Sequence, residues 1–207
     1  MARALDLRGT VLLEAGVGEG YGGDVLGRAG AWVVGVDLDG PTLRHLVATY
    51  PQVAAVRANL VQLPLGDGSV DVVVSAQTIE HLWDQDGFVR ECARVLRPGG
   101  RLLVTTPNRH TFPPGNVFHS RELDATELAD LLARHLEVEQ VRGVHHGPRL
   151  AAADRRHGGL VAAQLATPHP EWDGDLRSAV ASVTADDFVL EGPDGSLDLV
   201  AVATRRR

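Results

Sequence analysis

The chain has 207 residues, 44% of them hydrophobic and 23% charged, and a formal net charge of -7. That balance belongs to a globular domain long enough to bury a core without disulfides or metals. It argues against a nucleic-acid partner, which needs a basic stripe, because the only dense basic run is the solvated end Arg205–Arg207.

Short Val/Leu-rich runs bounded by Gly, Asp or Pro predict strands at Thr10–Ala15, Trp32–Asp37, Val53–Arg57, Val70–Ser75 and Arg101–Thr106. Runs apolar on both faces are what central strands of a buried parallel sheet require. Helical patterns fall between several of them. Pro41–Tyr50 follows Asp39, which suits an N-cap with proline near the first turn. In Phe88–Leu96, Phe88, Cys92, Val95 and Leu96 share one face, and Arg97-Pro98-Gly99-Gly100 is a stop signal. Asp124 with Glu127 forms a capping box ahead of a stripe of Leu128, Leu131, Leu132 and Leu136. This β-α-β alternation runs to about residue 142, ends with a sixth strand, and predicts an open sheet with right-handed crossovers.

The alternation then lapses. Leu150–Leu165 and Leu176–Val183 read as helices, and 145–187 as an insertion or lid over the sheet edge or the site mouth. Phe188–Glu191 and Leu197–Thr204 read as strands around the turn Gly192-Pro193-Asp194-Gly195. The exposed hairpin they would form suits pairing in a homodimer.

The most informative segment is Glu14-Ala15-Gly16-Val17-Gly18-Glu19-Gly20, where glycine falls at every second position after a hydrophobic strand. Open α/β sheets bind ligands at the carboxyl ends of their strands, so this is a ligand loop by position. A dinucleotide loop needs G-x-G-x-x-G facing a pyrophosphate. Here the third glycine comes one residue early, and a carboxylate at Glu14 would repel a pyrophosphate. It suits instead a cationic amino-acid moiety, such as that of S-adenosylmethionine. Asp37 ends the second strand 17 positions past Gly20, where a carboxylate can accept both ribose hydroxyls. After the third strand, Asn59 and Leu60 are either an adenine-reading pair or ordinary loop residues.

With these segments in place, the sequence resembles the class I S-adenosylmethionine-dependent methyltransferases, and most of all their small-molecule branch with quinone-type and sugar-type acceptors. The likeness covers about residues 8–142. It includes Leu63-Pro64, Asp67-Gly68-Ser69-Val70-Asp71-Val72-Val73, Ser75-Ala76-Gln77-Thr78-Ile79-Glu80-His81 and Arg94-Val95-Leu96-Arg97-Pro98-Gly99-Gly100. The resemblance implies a Rossmann-like, doubly wound seven-stranded sheet, mostly parallel with an antiparallel last strand, and here a helical insertion before that strand. It implies that Glu14, Gly16 and Gly18 contact the methionine portion of S-adenosylmethionine and Asp37 the ribose. Leu38 would pack on adenine, Asn59 and Leu60 would meet the adenine edge, and Gln77 would lie near the methionine end. The family commonly has an acidic residue where Asn59 stands; asparagine can still accept from the exocyclic amine through its carbonyl oxygen.

Methyl transfer from a sulfonium is an in-line displacement that depends on holding the acceptor in near-attack geometry. A hydroxyl acceptor also benefits from a general base, commonly histidine. Four histidines are candidates: His119 first, then His146, with His110 and His81. His110 and His119 flank the loop Thr111–Phe118 after the fifth strand, His145 and His146 begin the insertion, and His81 either shapes the site or takes part in catalysis. No metal is expected, since neither a carboxylate cluster nor zinc-type Cys/His spacing is visible. Trp83, Trp172 and Tyr21 either line an apolar acceptor pocket or serve packing.

The expectation is a single methyltransferase domain, 1–207, that O-methylates a small hydroxylated metabolite. N- or C-methylation is the alternative within the class. A nicotinamide-dependent oxidoreductase would share the α/β pattern and Asp37 but lacks the dinucleotide glycine spacing. A non-catalytic cofactor-binding protein would share every cofactor feature. A single cysteine, Cys92, the absence of a ~20-residue apolar run and a polar start from Met1 to Gly9 predict a cytoplasmic protein with no membrane partner. All 20 basic residues are arginine, a bias expected of a GC-rich bacterial gene.

Overall fold

The structure is a computed structural model that describes residues 6–113, 115–166 and 168–207; Met1 to Leu5, and Pro114 in the loop after the fifth strand, lie outside the described residues. The strands are β1 (Val11–Ala15), β2 (Trp32–Asp37), β3 (Ala54–Arg57), β4 (Val70–Ala76), β5 (Leu96–Pro107), β6 (Glu137–His146), β7 (Phe188–Glu191) and β8 (Asp198–Thr204). The helices are α1 (Tyr21–Arg28), α2 (Gly40–Thr49), α3 (Gln85–Val95), α4 (Ala125–Ala133), α5 (Pro148–Arg156), α6 (Leu160–Ala166) and α7 (Gly174–Ala181).

One sheet carries the strands in the order β3-β2-β1-β4-β5-β8-β6-β7. Strands β1 to β5 pair in parallel, and β8 runs antiparallel to both of its neighbours, β5 and β6. Because successive side chains of a strand point to opposite faces, Leu12 and Leu13 of β1 enter different cores. Leu12 packs with Leu26 of α1 and Leu43 and Leu46 of α2. Leu13 packs with Phe88 and Cys92 of α3 and Leu128 and Leu132 of α4. Two helical layers on opposite faces are the doubly wound arrangement expected. The chain moves outward from β1 to β3 and returns at β4, which puts the topological switch point between β1 and β4.

The caps form as read. Asp39 accepts from Thr42 N–H at 2.9 Å at the start of α2, and Asp124 and Glu127 make a reciprocal capping box on α4. Helix α3 ends at Val95, as its stop signal predicts, although the Arg97–Gly100 stretch continues into β5 through a bulge against β4.

The far side of the sheet corrects three expectations. It has eight strands instead of seven. Phe188–Glu191 and Asp198–Thr204 do not form a hairpin, because β6 lies between β7 and β8 and pairs with both. The connection 192–197 instead crosses β6 at Gly143, where any Cβ would collide with Ser196 and the Gly192 carbonyl. Buried Asn108 holds the crossing by donating to Pro193 O and Ser196 O. Strand β8 is buried along its middle five residues and so needs neighbours on both sides, whereas short, exposed β7 suits the edge. Third, His145 and His146 end β6, paired with Val189 and Phe188. The segment between the strands therefore begins at Gly147. Its first helix is broken at Gly158-Gly159 into α5 and α6, which, with α7, bury Leu150, Leu160 and Leu176 in a small core of their own. Trp172 packs there, beside His169.

Candidate functional site

The glycine loop leaves β1 and turns over the end of β2. Gly16 N–H and Val17 N–H both donate to Val36 O, at 2.9 and 3.1 Å. Gly16 has φ of 81°, and a Cβ there would run into the Thr78 side chain. Glycine is therefore required both by conformation and by the close approach of the loop after β4. Around the corresponding direction from Gly18 there is open space to 4 Å.

Asp37 stands at the carboxyl end of β2 with its carboxylate turned to this loop. Its Oδ2 accepts from Gly18 N–H at 3.0 Å and its Oδ1 from Asp39 N–H at 3.0 Å. Each oxygen keeps a further lone pair for a diol. The neighbouring Leu38 is exposed. Asn59 is also exposed at the end of β3, and its Oδ1 accepts from Val61 N–H at 3.1 Å. The Leu60 side chain belongs to the main core. Gln77 has φ of 50°, in the left-handed region. It donates from Nε2 to Thr105 Oγ1 and to Asp198 Oδ1, each at 3.3 Å. Burial raises the carboxyl pKa of Asp198, and that hydrogen bond opposes the shift.

Glu14 is only 6% exposed, and its Oε2 is a buried atom without a hydrogen-bond partner. The carboxyl packs against Gly22 and Gly23 of α1, where a Cβ at either position would strike it. Desolvation pushes its pKa up to about 7. An orphaned buried carboxyl beside an open glycine loop, with a strand-end carboxylate across it, fits a ligand that carries an amino group and a ribose diol. These residues therefore fit S-adenosylmethionine.

The four histidines divide. His81 ends the short 3-10 turn Ile79–His81 after β4, and its ring meets that of His119 edge-on at 4.9 Å between centroids. The segment carrying His119 is pinned to that turn: Ser120 N–H and Arg121 N–H donate to Glu80 O at 2.7 and 3.2 Å. His119 Nδ1 lies 2.8 Å from Glu122 Oε1, its side chain is 8% exposed, and Phe112 packs on its ring. His81 Nδ1 lies 2.9 Å from Phe118 O. His110 makes other contacts, with Nε2 3.8 Å from Asp124 Oδ2. His146 meets Phe188 on the edge strand. Trp83 is 92% exposed.

Sequence reading assigned no role to Glu80, Glu122 or Asp198. Glu80 is 1% exposed, accepts from Thr106 Oγ1 at 3.0 Å, and has its pKa raised by burial. The adjacency of Glu80 to His81 and the three-residue spacing of His119 and Glu122 were available signals. Asp198 lies 121 positions from Gln77, and nothing local announces the contact.

The profile of a family described as a methyltransferase domain matches residues 13–104. A probable S-adenosylmethionine-dependent methyltransferase of Mycolicibacterium smegmatis is 52% identical over 95% of this chain and 82% of its own length. A ubiquinone biosynthesis O-methyltransferase of Xanthomonas oryzae pv. oryzae is 29% identical over 70% of each chain. Among solved structures, a methyltransferase of Thermotoga maritima, described as a possible histamine N-methyltransferase, superposes with a TM-score of 0.67 at 20% identity, over 99% of this chain and 86% of that one. No helix among the described residues is long and apolar enough to cross a membrane. The chain belongs to the S-adenosylmethionine-dependent methyltransferases.

Proposed function

We propose that the enzyme methylates a hydroxyl oxygen of a small metabolite or natural product, such as one bearing a sugar or aromatic moiety. The observation that carries this reading is the Glu80, His81 and His119 cluster. Glu80 and His81 follow β4 in the segment whose Thr78 touches the glycine loop, His119 comes to them from the segment after β5, and the cluster offers groups that can draw off a hydroxyl proton. The name of the Xanthomonas relative supports an oxygen acceptor.

In this reading Asp37 holds the ribose hydroxyls, Leu38, Asn59 and Leu60 border the adenine, and Glu14, Gly16, Gly18 and Gln77 surround the amino-acid end. S-adenosylmethionine supplies a methyl on a cationic sulfur that leaves as a neutral thioether. The chain's own task is to hold the acceptor hydroxyl in line and remove its proton. His119 faces the hydroxyl, Glu122 fixes its ring, and His81 lies alongside. Segment 147–187 follows the carboxyl end of β6, at the same sheet edge as the glycine loop. It acts as the lid that selects the acceptor, within one domain spanning the chain.

The test is incubation with methyl-labelled S-adenosylmethionine and a panel of phenolic, catecholic and sugar acceptors, with mass spectrometry of the products. Label on oxygen is expected. Label only on nitrogen or carbon acceptors overturns the O-specific part.

A further inference from the structure

We propose that Glu80, His81 and His119 bind one divalent cation of the zinc or manganese class. One ligand atom from each residue can be chosen so that all three lie within 4.8 Å of one another. A tetrahedral ion with bonds of ~2.1 Å holds its ligand atoms about 3.4 Å apart, so side-chain rotations close the site.

The surroundings prepare each donor. The Phe118 carbonyl can only accept, so His81 Nδ1 carries the proton and its Nε2 presents a lone pair, 4.0 Å from Glu80 Oε1. Glu122 binds His119 Nδ1 in the same way and leaves Nε2 free. A ring nitrogen tied to a carbonyl or carboxylate while the other is left bare is the outer-shell pattern of metal-ligating histidine. Thr106 Oγ1 occupies Glu80 Oε2 and so fixes the third donor. Two imidazoles and one carboxylate suit a borderline divalent ion. Three protein ligands leave coordination positions open, and the exposed edge of His81 provides a way in. The catalytic consequence rests on the O-methylation reading: a hydroxyl bound at the open position loses its proton to solvent more readily, so the ion takes over the part of a free histidine base.

The untagged full chain, stripped with chelator, is titrated with Zn2+ by calorimetry and with Co2+ by visible absorption. One equivalent is expected. Binding should weaken at least ~10-fold in His81→Ala and in His119→Ala, and stay unchanged in His45→Ala, a helix α2 histidine whose ring bonds Thr49. Circular dichroism confirms that each variant is folded. Failure of the wild type to bind stoichiometrically, or unchanged binding in both folded variants, overturns the proposal. The acceptor panel, run with and without chelator, separates it from the reading beneath. Transfer to oxygen that survives chelation overturns the cation's catalytic part and keeps His119 as base, while the titration alone decides the binding. Stoichiometric binding without any oxygen acceptor upholds the cation and overturns O-methylation.

Discussion

The backbone N–H of Gly18, in the loop after β1, donates to Oδ2 of Asp37 at the end of β2 at 3.0 Å. The bond couples the shape of the glycine loop to the orientation of the carboxylate, so the two parts of the cofactor site are set together.

Replacing Gly16 with alanine should damage both. Alanine is strained at φ of 81°, and its Cβ would displace Thr78. A loss of roughly 1–3 kcal/mol in stability is expected, read by thermal melting with and without S-adenosylhomocysteine. Adding Thr78→Ala should recover part of that loss, because it removes the collision and leaves the backbone strain.

Asn59→Asp should strengthen cofactor binding. The single carbonyl oxygen of Asn59 already accepts from Val61 N–H. A carboxylate keeps that bond and adds a second acceptor for the adenine amine. A gain of about 1 kcal/mol, or several-fold in Kd, is expected by calorimetry.

Glu14 should make the stability of the cofactor-free enzyme depend on pH. Its folded pKa, raised to about 7, lies above the ordinary value of 4.5, so the folded state favours the protonated form. Its contribution is full below about pH 4.5 and is lost as pH rises through about 7. Relative to Glu14→Gln, the wild type should lose roughly 3 kcal/mol between pH 4.5 and 8, measured by denaturant unfolding. A constant difference across that range would show that the carboxyl is not desolvated.

His119→Ala should lower kcat by about 10²-fold or more with an unchanged Kd for S-adenosylhomocysteine. Glu122→Gln should cause a smaller fall in kcat, because it loosens the ring without removing it. Single-turnover transfer and calorimetry on the same preparations separate the two effects.

The parallel half of the fold was legible because its signals are local. Strands apolar on both faces, the Asp39 and Asp124 caps and the Gly16–Gly20 spacing all act within a few residues. The placement of the last two strands was not, since Gly192–Gly195 reads as an ordinary hairpin turn while β6 lies between β7 and β8. What redirects the chain is the fit of Ser196 against Gly143 and the anchor at Asn108, some 50 and 90 positions away. The site divides the same way. Glu14 and Asp37 announce themselves beside the glycines. His81 and His119 meet only because the Glu80 carbonyl holds a segment 40 residues on. The ranking that put His119 first rested on its loop, and neither that nor the neighbouring Glu80 and Glu122 showed that its ring would meet His81.

The ribose assignment bears the most weight, and calorimetric titration of S-adenosylhomocysteine into the wild type and Asp37→Ala tests it directly. One site is expected in the wild type, with affinity at least ~10-fold weaker in the variant, or about 1.4 kcal/mol. Equal affinity in a folded Asp37→Ala protein would contradict the account.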